Sequence, residues 1–355
     1  MAFGLGKTKS LVGLDIGSSS VKAVELSRSK QGIELVSYGL EPLAQDTVVD
    51  GAIMDALAVA TAINSMFDAK KIKTKNVATS VSGHSVIVKR ITLPTMTEDE
   101  LFDRVPAEAS QHIPFDINDV SLSHQLLEVL DTQMDVLLVA VKKDKILNHT
   151  NVLAQAGKTP TVVDIDAFAL QNCFESNYET ESGMGSGQTC ALLNIGASVM
   201  SINIVRSGIP LFTRDISVGG NQYTDALQKE LDLSFEDADR LKQGESVAGV
   251  SEEQKAGILR SVSDILILEI QKTFDFFRAT TSGENIQKIY VAGGTARVPG
   301  LLDLLKEEFA LPVDELDPFR KVVINPGRHN EDEIRKIKPR LAIAVGLALR
   351  SFDTP

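Results

Sequence analysis

Cysteine is nearly missing: only Cys173 and Cys190 occur among 355 residues. Two thiols make neither a disulfide framework nor a metal-ligand pattern, and such usage suits a reducing, cytosolic setting. Cys190 lies in an apolar run and reads as a small core residue. Basic residues are in deficit, 36 against 48 acidic, for a net charge of -12. That balance disfavours nucleic acid as a partner, since such recognition needs a basic surface. It leaves small anionic ligands open, because backbone N–H groups bind them without net positive charge. No run reaches the ~18–20 apolar residues that span a bilayer. The longest candidate, "LAIAVGLAL" at 341–349, is half that and reads as a buried helix. The N-terminal "MAFGLGKTKS" lacks the apolar core of a signal peptide and reads as a disordered tail. Phe3 and Leu5 beside Lys7 and Lys9 are its features for a membrane or a partner. The "GKT" at Gly6–Thr8 is not a P-loop: Met1 stands where the motif needs glycine, and the triplet precedes a strand. The five histidines show no zinc spacing. There is no G-x-S-x-G elbow and no dinucleotide fingerprint.

What is present supports folding. Hydrophobic residues make up 43% of the chain, enough for one large or two medium cored domains. "LVGLDI" (11–16), "VKAVELS" (21–27) and "GIELVSYGL" (32–40) read as three strands of an antiparallel meander. Asp50 then reads as a helix cap before Ile53, Leu57, Ala60 and Ile63 at helical spacing. "NVATSVSG" (76–83) returns to strand. Residues 189–220 repeat the opening layout: strand, glycine turn, strand, Ser-Gly turn, strand. "LDIGSSSVK" aligns with "LNIGASVMS", so Asp15 faces Asn194 and Gly17 faces Gly196. One structural unit is thus present twice, with the Gly/Ser linker "ESGMGSGQ" (181–188) before the second copy. Later, "IYVA" ends in Gly293-Gly294 ahead of a leucine-rich helix. Helical patterns fill 222–243, 252–281 and about 339–350.

An extra segment at about 85–160 reads strand, helix, strand, strand, helix. Its first helix opens with Thr97 and Glu100 in capping-box spacing. Pro106 inside it is expected to kink or shorten it, and Gly157 to stop the last helix.

Three glycine turns, 17–20, 196–198 and 293–294, each follow a strand. Each brings free N–H groups close to a ligand, because glycine has no side chain in the way. Facing copies would clamp a phosphate chain between Gly17, Ser18, Ser19 and Ser20 on one side and Asn194, Gly196, Ala197 and Ser198 on the other. Lys22 adds a point charge. Asp15 would repel phosphate, so its natural partner is Mg²⁺ held through water. Gly293, Gly294 and Ala296 would lie under the nucleoside. Gly219, Gly220 and Asn221, at another strand end and helix start, suit ribose or phosphate. Asp239 and Lys242, three apart on one helix face, would flank ribose and base. Taken singly, each feature is more ordinary: a hairpin turn, a strand exit, a solvated helix face. Their co-occurrence and order point to a nucleotide cleft.

The motifs resemble the phosphate and adenosine motifs of the actin-like ATPase superfamily, and the chain is most similar to its type IV pilus assembly family, PilM. "GLDIGSSSVKAVELS" (13–27), "VIVKRITLPTMTEDEL" (86–101) and "EASQHIPFDINDV" (108–120) carry that likeness. "ISVGGNQYTDAL" (216–227) and "VAGGTARVPGL" (291–301) are shared with the division protein FtsA. The resemblance implies an α/β actin-like fold of two duplicated ribonuclease-H-like lobes with an FtsA-type extra subdomain. The first lobe would comprise residues 1–85, 160–185 and 335–355, the insertion 86–160, and the second lobe 188–334 with a helical part at about 225–285. It implies ATP with Mg²⁺ as cofactors. Its implied partners are the cytoplasmic N-terminal peptide of PilN, in a groove beside the insertion, the pilus inner-membrane platform and the pilus motor ATPases. Self-association is a further option, and the location would be cytoplasmic, peripheral at the inner face of the inner membrane. Asn194 replaces an aspartate common in the superfamily, and an amide neither accepts a proton nor binds magnesium as a carboxylate does. Nucleotide binding with slow or absent hydrolysis is therefore expected, with no residue assigned a catalytic role. Two alternatives stay open. An FtsA-like membrane adaptor should carry an amphipathic helix beyond the last helix, where this sequence reads "RSFDTP". A small-molecule kinase of the same fold would need a cleft carboxylate and an acceptor pocket.

Overall fold

Residues 11–178, 187–281 and 283–352 are described by a computed structural model. The expected linker at 181–188 falls largely outside them, as does the N-terminal segment.

Apolar residues alternate along β1 (Val12–Ile16), β2 (Ser20–Ser29) and β3 (Gly32–Pro42), and short turns force consecutive strands into antiparallel contact. After the hairpin β4 (Val48–Val49) and β5 (Ala52–Ile53), helix α1 (Ala56–Ala69) crosses the sheet. It leads to β6 (Asn76–Val81), which lies parallel to β1. The insertion follows with β7 (Val86–Pro94), α2 (Glu98–His112), β8 (Val120–Val129) and β9 (Gln133–Lys142), and α3 (Lys143–Gln155) then packs through Val152 and Leu153 into the core beneath the first sheet and α1. Then β10 (Thr159–Ile165) rejoins the first sheet beside β6, giving the order β10-β6-β1-β2-β3. After α4 (Asp166–Asn177), the second copy comprises β11 (Thr189–Ile195), β12 (Met200–Arg206) and β13 (Ile209–Ile216), again an antiparallel meander. Helices α5 (Gly220–Leu231), α6 (Phe235–Lys242) and α7 (Glu252–Thr280) lead to β14 (Lys288–Ala292), α8 (Leu301–Phe309) and β15 (Val313–Glu315). The second sheet runs β13-β12-β11-β14-β15, with β14 and β15 parallel to β11. The two five-stranded sheets share one topology, as the sequence duplication predicts. Helices α9 (Glu331–Ile337) and α10 (Ala342–Leu349) return the chain to the first sheet.

Between the sheets lie α4 and α10. Leu170 and Phe174 of α4 and Ile343 and Leu347 of α10 share one core with Val24 and Leu35 of the first sheet and Leu192 and Tyr290 of the second. Each such side chain, fully buried, contributes roughly 1.5–3 kcal/mol. Approach is set by two glycines. A Cβ on Gly346 would stand 1.7 Å from the Ala169 carbonyl oxygen, and one on Gly13 2.0 Å from that of Ala344. Strand β1 and both helices therefore meet backbone to backbone, which fixes where the turn after β1 points.

The insertion forms its own three-stranded sheet, β7-β9-β8, with α2 against it through Leu101, Val105 and Ala109. Thr97 and Glu100 make the expected reciprocal capping box. Pro106 does not break α2, which runs unbroken from Glu98 to His112. Pro106 sits on the exposed face, where water replaces the hydrogen bond it cannot donate, while the buried stripe holds the helix. The cap of α1 is Asp55, not Asp50. Asp50 and Gly51 both have positive φ (47° and 73°) and make the two-residue turn between β4 and β5, the Asp-Gly hairpin signal. Ile53 is thus a strand residue, and Leu57 faces solvent.

Candidate functional site

Asp15 and Lys22 are directly opposite each other in the β1–β2 register. Lys22 Nζ donates to Asp15 Oδ2 at 3.0 Å, with both side chains nearly buried. A Cβ on Gly17 would lie 2.5 Å from that ammonium, so a glycine here lets the lysine lie over the turn. The Gly17 N–H closes the turn on the Ser20 carbonyl at 3.1 Å. The second copy repeats the device, with the Gly196 N–H on the Val199 carbonyl at 3.0 Å. Where the first copy pairs Asp15 with Lys22, the second pairs Asn194 with Ser201, so the matching position carries no charge.

The two turns meet. The hydroxyls of Ser18 and Ser198, 180 residues apart, are in hydrogen-bond contact. Ser19 is exposed beside them. Ser20 is fully buried, and its hydroxyl accepts from Arg340 Nη2 at 3.2 Å.

Gly219–Asn221 support the second turn. The Gly220 and Asn221 N–H groups donate to the Gly196 and Ala197 carbonyls at 2.9 and 2.8 Å. A Cβ on Gly219 would stand 2.6 Å from both oxygens. Thr295 Oγ1 donates to the Gly196 carbonyl at 2.9 Å. Gly293 has φ +90°, and a Cβ there would lie 2.2 Å from the Ile195 carbonyl oxygen. Gly294 lies against the Arg340 side chain. Ala296 is buried in the core of the second sheet. Lys242 Nζ contacts Asp239 Oδ1 at 2.6 Å and donates to Thr224 Oγ1 at 2.8 Å. Asp239 also accepts from Gln243 at 2.5 Å.

Two groups near the site escaped the sequence reading. Asp166 opens α4, and Ser80 Oγ donates to its Oδ1 at 2.5 Å. Burial, then the charge of Asp15, push its carboxyl up to about 6. Its local signal, a strand ending in an acid before a helix, was readable in "VVDIDAF". Arg340, from the return of the chain near its end, had none: only the fold brings it to the turns. Burial lowers its pKa, while Asp239 and Asp15 act against that.

A cavity of about 240 Å³ lies beside the site, lined by Val86, Ile87 and Val88 of β7, by Ile165 and Asp166, and by Asp215 of β13. Strands β7, β10 and β13 are each the edge of their own sheet. Asp215 Oδ2 accepts from the Gly83 N–H at 2.5 Å, and His84 Nε2 is 3.4 Å from Ser217 Oγ. These contacts tie the second sheet to the start of the insertion. Among the described residues, no group of three or more His, Cys, Asp or Glu is placed to hold a metal ion. No helix among them is long and apolar enough to cross a membrane.

Comparison with known proteins agrees with this architecture. Cell division protein FtsA of Enterococcus hirae is 23% identical over 366 residues, 91% of this chain and 81% of that protein. The solved PilM-PilN type IV pilus biogenesis complex superposes with a TM-score of 0.86 at 26% identity, covering 97% of this chain and 99% of that one. MreB 5 of Spiroplasma citri, bound to AMPPNP, gives a TM-score of 0.50 at 16% identity, covering 96% of this chain and 95% of that one. The fold is therefore actin-like. Residues 13–352 match the family described as type IV pilus assembly protein PilM. With that match spanning both five-stranded sheets, the insertion and both glycine turns, the chain belongs to the PilM family of type IV pilus assembly proteins.

Proposed function

We propose that this pilus assembly protein is a nucleotide-loaded scaffold, holding ATP with Mg²⁺ between the two turns and a PilN peptide beside the insertion. The observation that carries the nucleotide reading is the Ser18–Ser198 contact: the duplicated turns converge on one point from the two sheets. A triphosphate seated there would part those hydroxyls and accept hydrogen bonds from both. Lys22 would exchange Asp15 for phosphate oxygens. The AMPPNP-bound relative of the same fold supports this reading.

The donors fit magnesium. Asp15 and Asp166 offer hard carboxylate oxygens close enough for their charges to interact. Magnesium takes few protein ligands and completes its shell with water and phosphate, so the absence of a three-residue cage among the described side chains suits it. Bound there, it would neutralise phosphate charge. Asn194 accepts no proton, so turnover is expected below ~1 per second.

For the partner, the cavity where three sheet edges converge has apolar walls from β7 and charged residues Asp166, Arg214 and Asp215 in its lining. An extended peptide can add to such an edge through main-chain hydrogen bonds. The solved PilM-PilN complex supports a PilN segment as the occupant.

Calorimetric titration tests both parts: AMPPNP with Mg²⁺, then a synthetic PilN N-terminal peptide with and without the nucleotide. Binding of both is expected. No heat with AMPPNP would sink the cofactor reading, and no peptide binding in either condition would sink the partner reading.

A further inference from the structure

Arg340 is held in an unusual manner. It leaves the segment just before α10 and enters the cleft between the turn after β1 and the third glycine pair. Nη2 donates to Ser20 Oγ at 3.2 Å. Its aliphatic stem and Nε lie 3.6–3.8 Å from where a Gly294 Cβ would be. No carboxylate among the described residues comes within ion-pair distance of the guanidinium. Asp239 and Asp15 act on it only through their fields. A guanidinium offers five N–H donors in a planar fork, and among the described residues this one makes a single hydrogen bond. Arg340 is half-buried, and partly withdrawing a charge from water without a paired counter-charge is costly. Its remaining donors are open to a ligand that supplies acceptors.

The ligand's nature follows from position. On one side lie the turns that would hold the β- and γ-phosphates; on the other lie Gly294 and Asp239 at the nucleoside end. Arg340 spans the interval between them. We propose that Arg340 is a further nucleotide-binding residue, donating its fork to the α-phosphate where it joins the ribose. The inference rests on the nucleotide reading above. It adds a defined preference: the site would distinguish a nucleotide from a nucleoside mainly through Arg340, and a triphosphate from a diphosphate mainly through the turns. Arg–phosphate contacts are charge-assisted and often two-pronged, which a lysine cannot reproduce.

The test titrates AMPPNP, ADP, AMP and adenosine, all with Mg²⁺, into the wild-type chain and into Arg340→Gln and Arg340→Lys. The wild-type protein should bind AMP at least tenfold more tightly than adenosine. Arg340→Gln should erase that ratio while keeping the ratio of AMPPNP to ADP, and Arg340→Lys should restore only part of it. Without ligand, Arg340→Gln should melt no lower than wild type, because it removes a poorly compensated charge. An unchanged ratio of AMP to adenosine in Arg340→Gln would overturn the proposal, as would a ligand-free melting loss that accompanies equal weakening for all four ligands. Failure of the wild-type chain to bind any of the four would instead remove the nucleotide reading beneath it.

Discussion

At the scale of single residues, the candidate site is a set of positions with little freedom to change. Gly293→Ala places a Cβ 2.2 Å from a carbonyl oxygen at φ +90°, and the expected loss is about 3 kcal/mol or more of stability. Chemical denaturation would show it, and an unchanged midpoint would contradict the geometry. Asp15→Asn should abolish the difference in AMPPNP affinity between magnesium and EDTA; a preserved difference would locate the metal elsewhere. Asp166 gives a signed pH effect. Its carboxyl is pushed from 3.8 up to about 6, so its stabilising contribution is complete below the unfolded value and is lost as pH rises through about 6. Asp166→Asn has no such dependence. In metal-free buffer, its stability relative to wild type should rise between pH 4 and 7 by roughly 2–2.5 kcal/mol. A flat difference would show that burial does not perturb the group. Asp15, Gly17 and the glycine pairs were legible because their signal is local: a residue type at a strand end. Arg340 was not, because nothing near it in the sequence announces a contact with Ser20, 320 positions away. The Gly220 and Asn221 N–H groups were legible as helix-start donors, but not as donors to the Gly196 and Ala197 carbonyls, since that pairing exists only after the loops dock.

At the scale of elements, periodicity and turn chemistry identified every strand of both meanders and the order of the insertion. They misjudged two places where a local rule competes with packing. Asp50 precedes apolar residues at helical spacing, which favours a cap there, yet the Asp-Gly pair favours a turn and Asp55 takes the cap. Pro106 favours a shortened helix, yet α2 runs from Glu98 to His112 with Pro106 on its solvent face, held by its other side. The second case is testable. Pro106→Ala restores a backbone donor in an exposed helix interior, and stability of the insertion should rise by about 1–3 kcal/mol. A fall in melting temperature would mean that the proline's ring makes a contact the helix needs. The reciprocal Thr97 and Glu100 bonds are correctly legible at any scale, since a capping box is complete within four residues.

At the scale of the whole molecule, the duplication is what makes a cleft possible. Two copies of one sheet topology, packed on α4 and α10, must present their matching turns to a common line. Ligand binding there should stabilise the assembly as a unit: at a hundredfold excess over Kd, AMPPNP with Mg²⁺ would add about 2.7 kcal/mol. A single shifted transition is expected by differential scanning fluorimetry; two separate transitions, only one of them moving, would mean that the halves respond independently. Both native thiols lie in the interior, Cys173 and Cys190 each at 1% exposure or less. Reagents such as maleimides or mild oxidants should therefore leave the folded chain untouched. Any thiol engineered onto its exterior becomes a solitary chemical address, so labels for distance measurement can be installed one at a time without first removing anything the protein was born with.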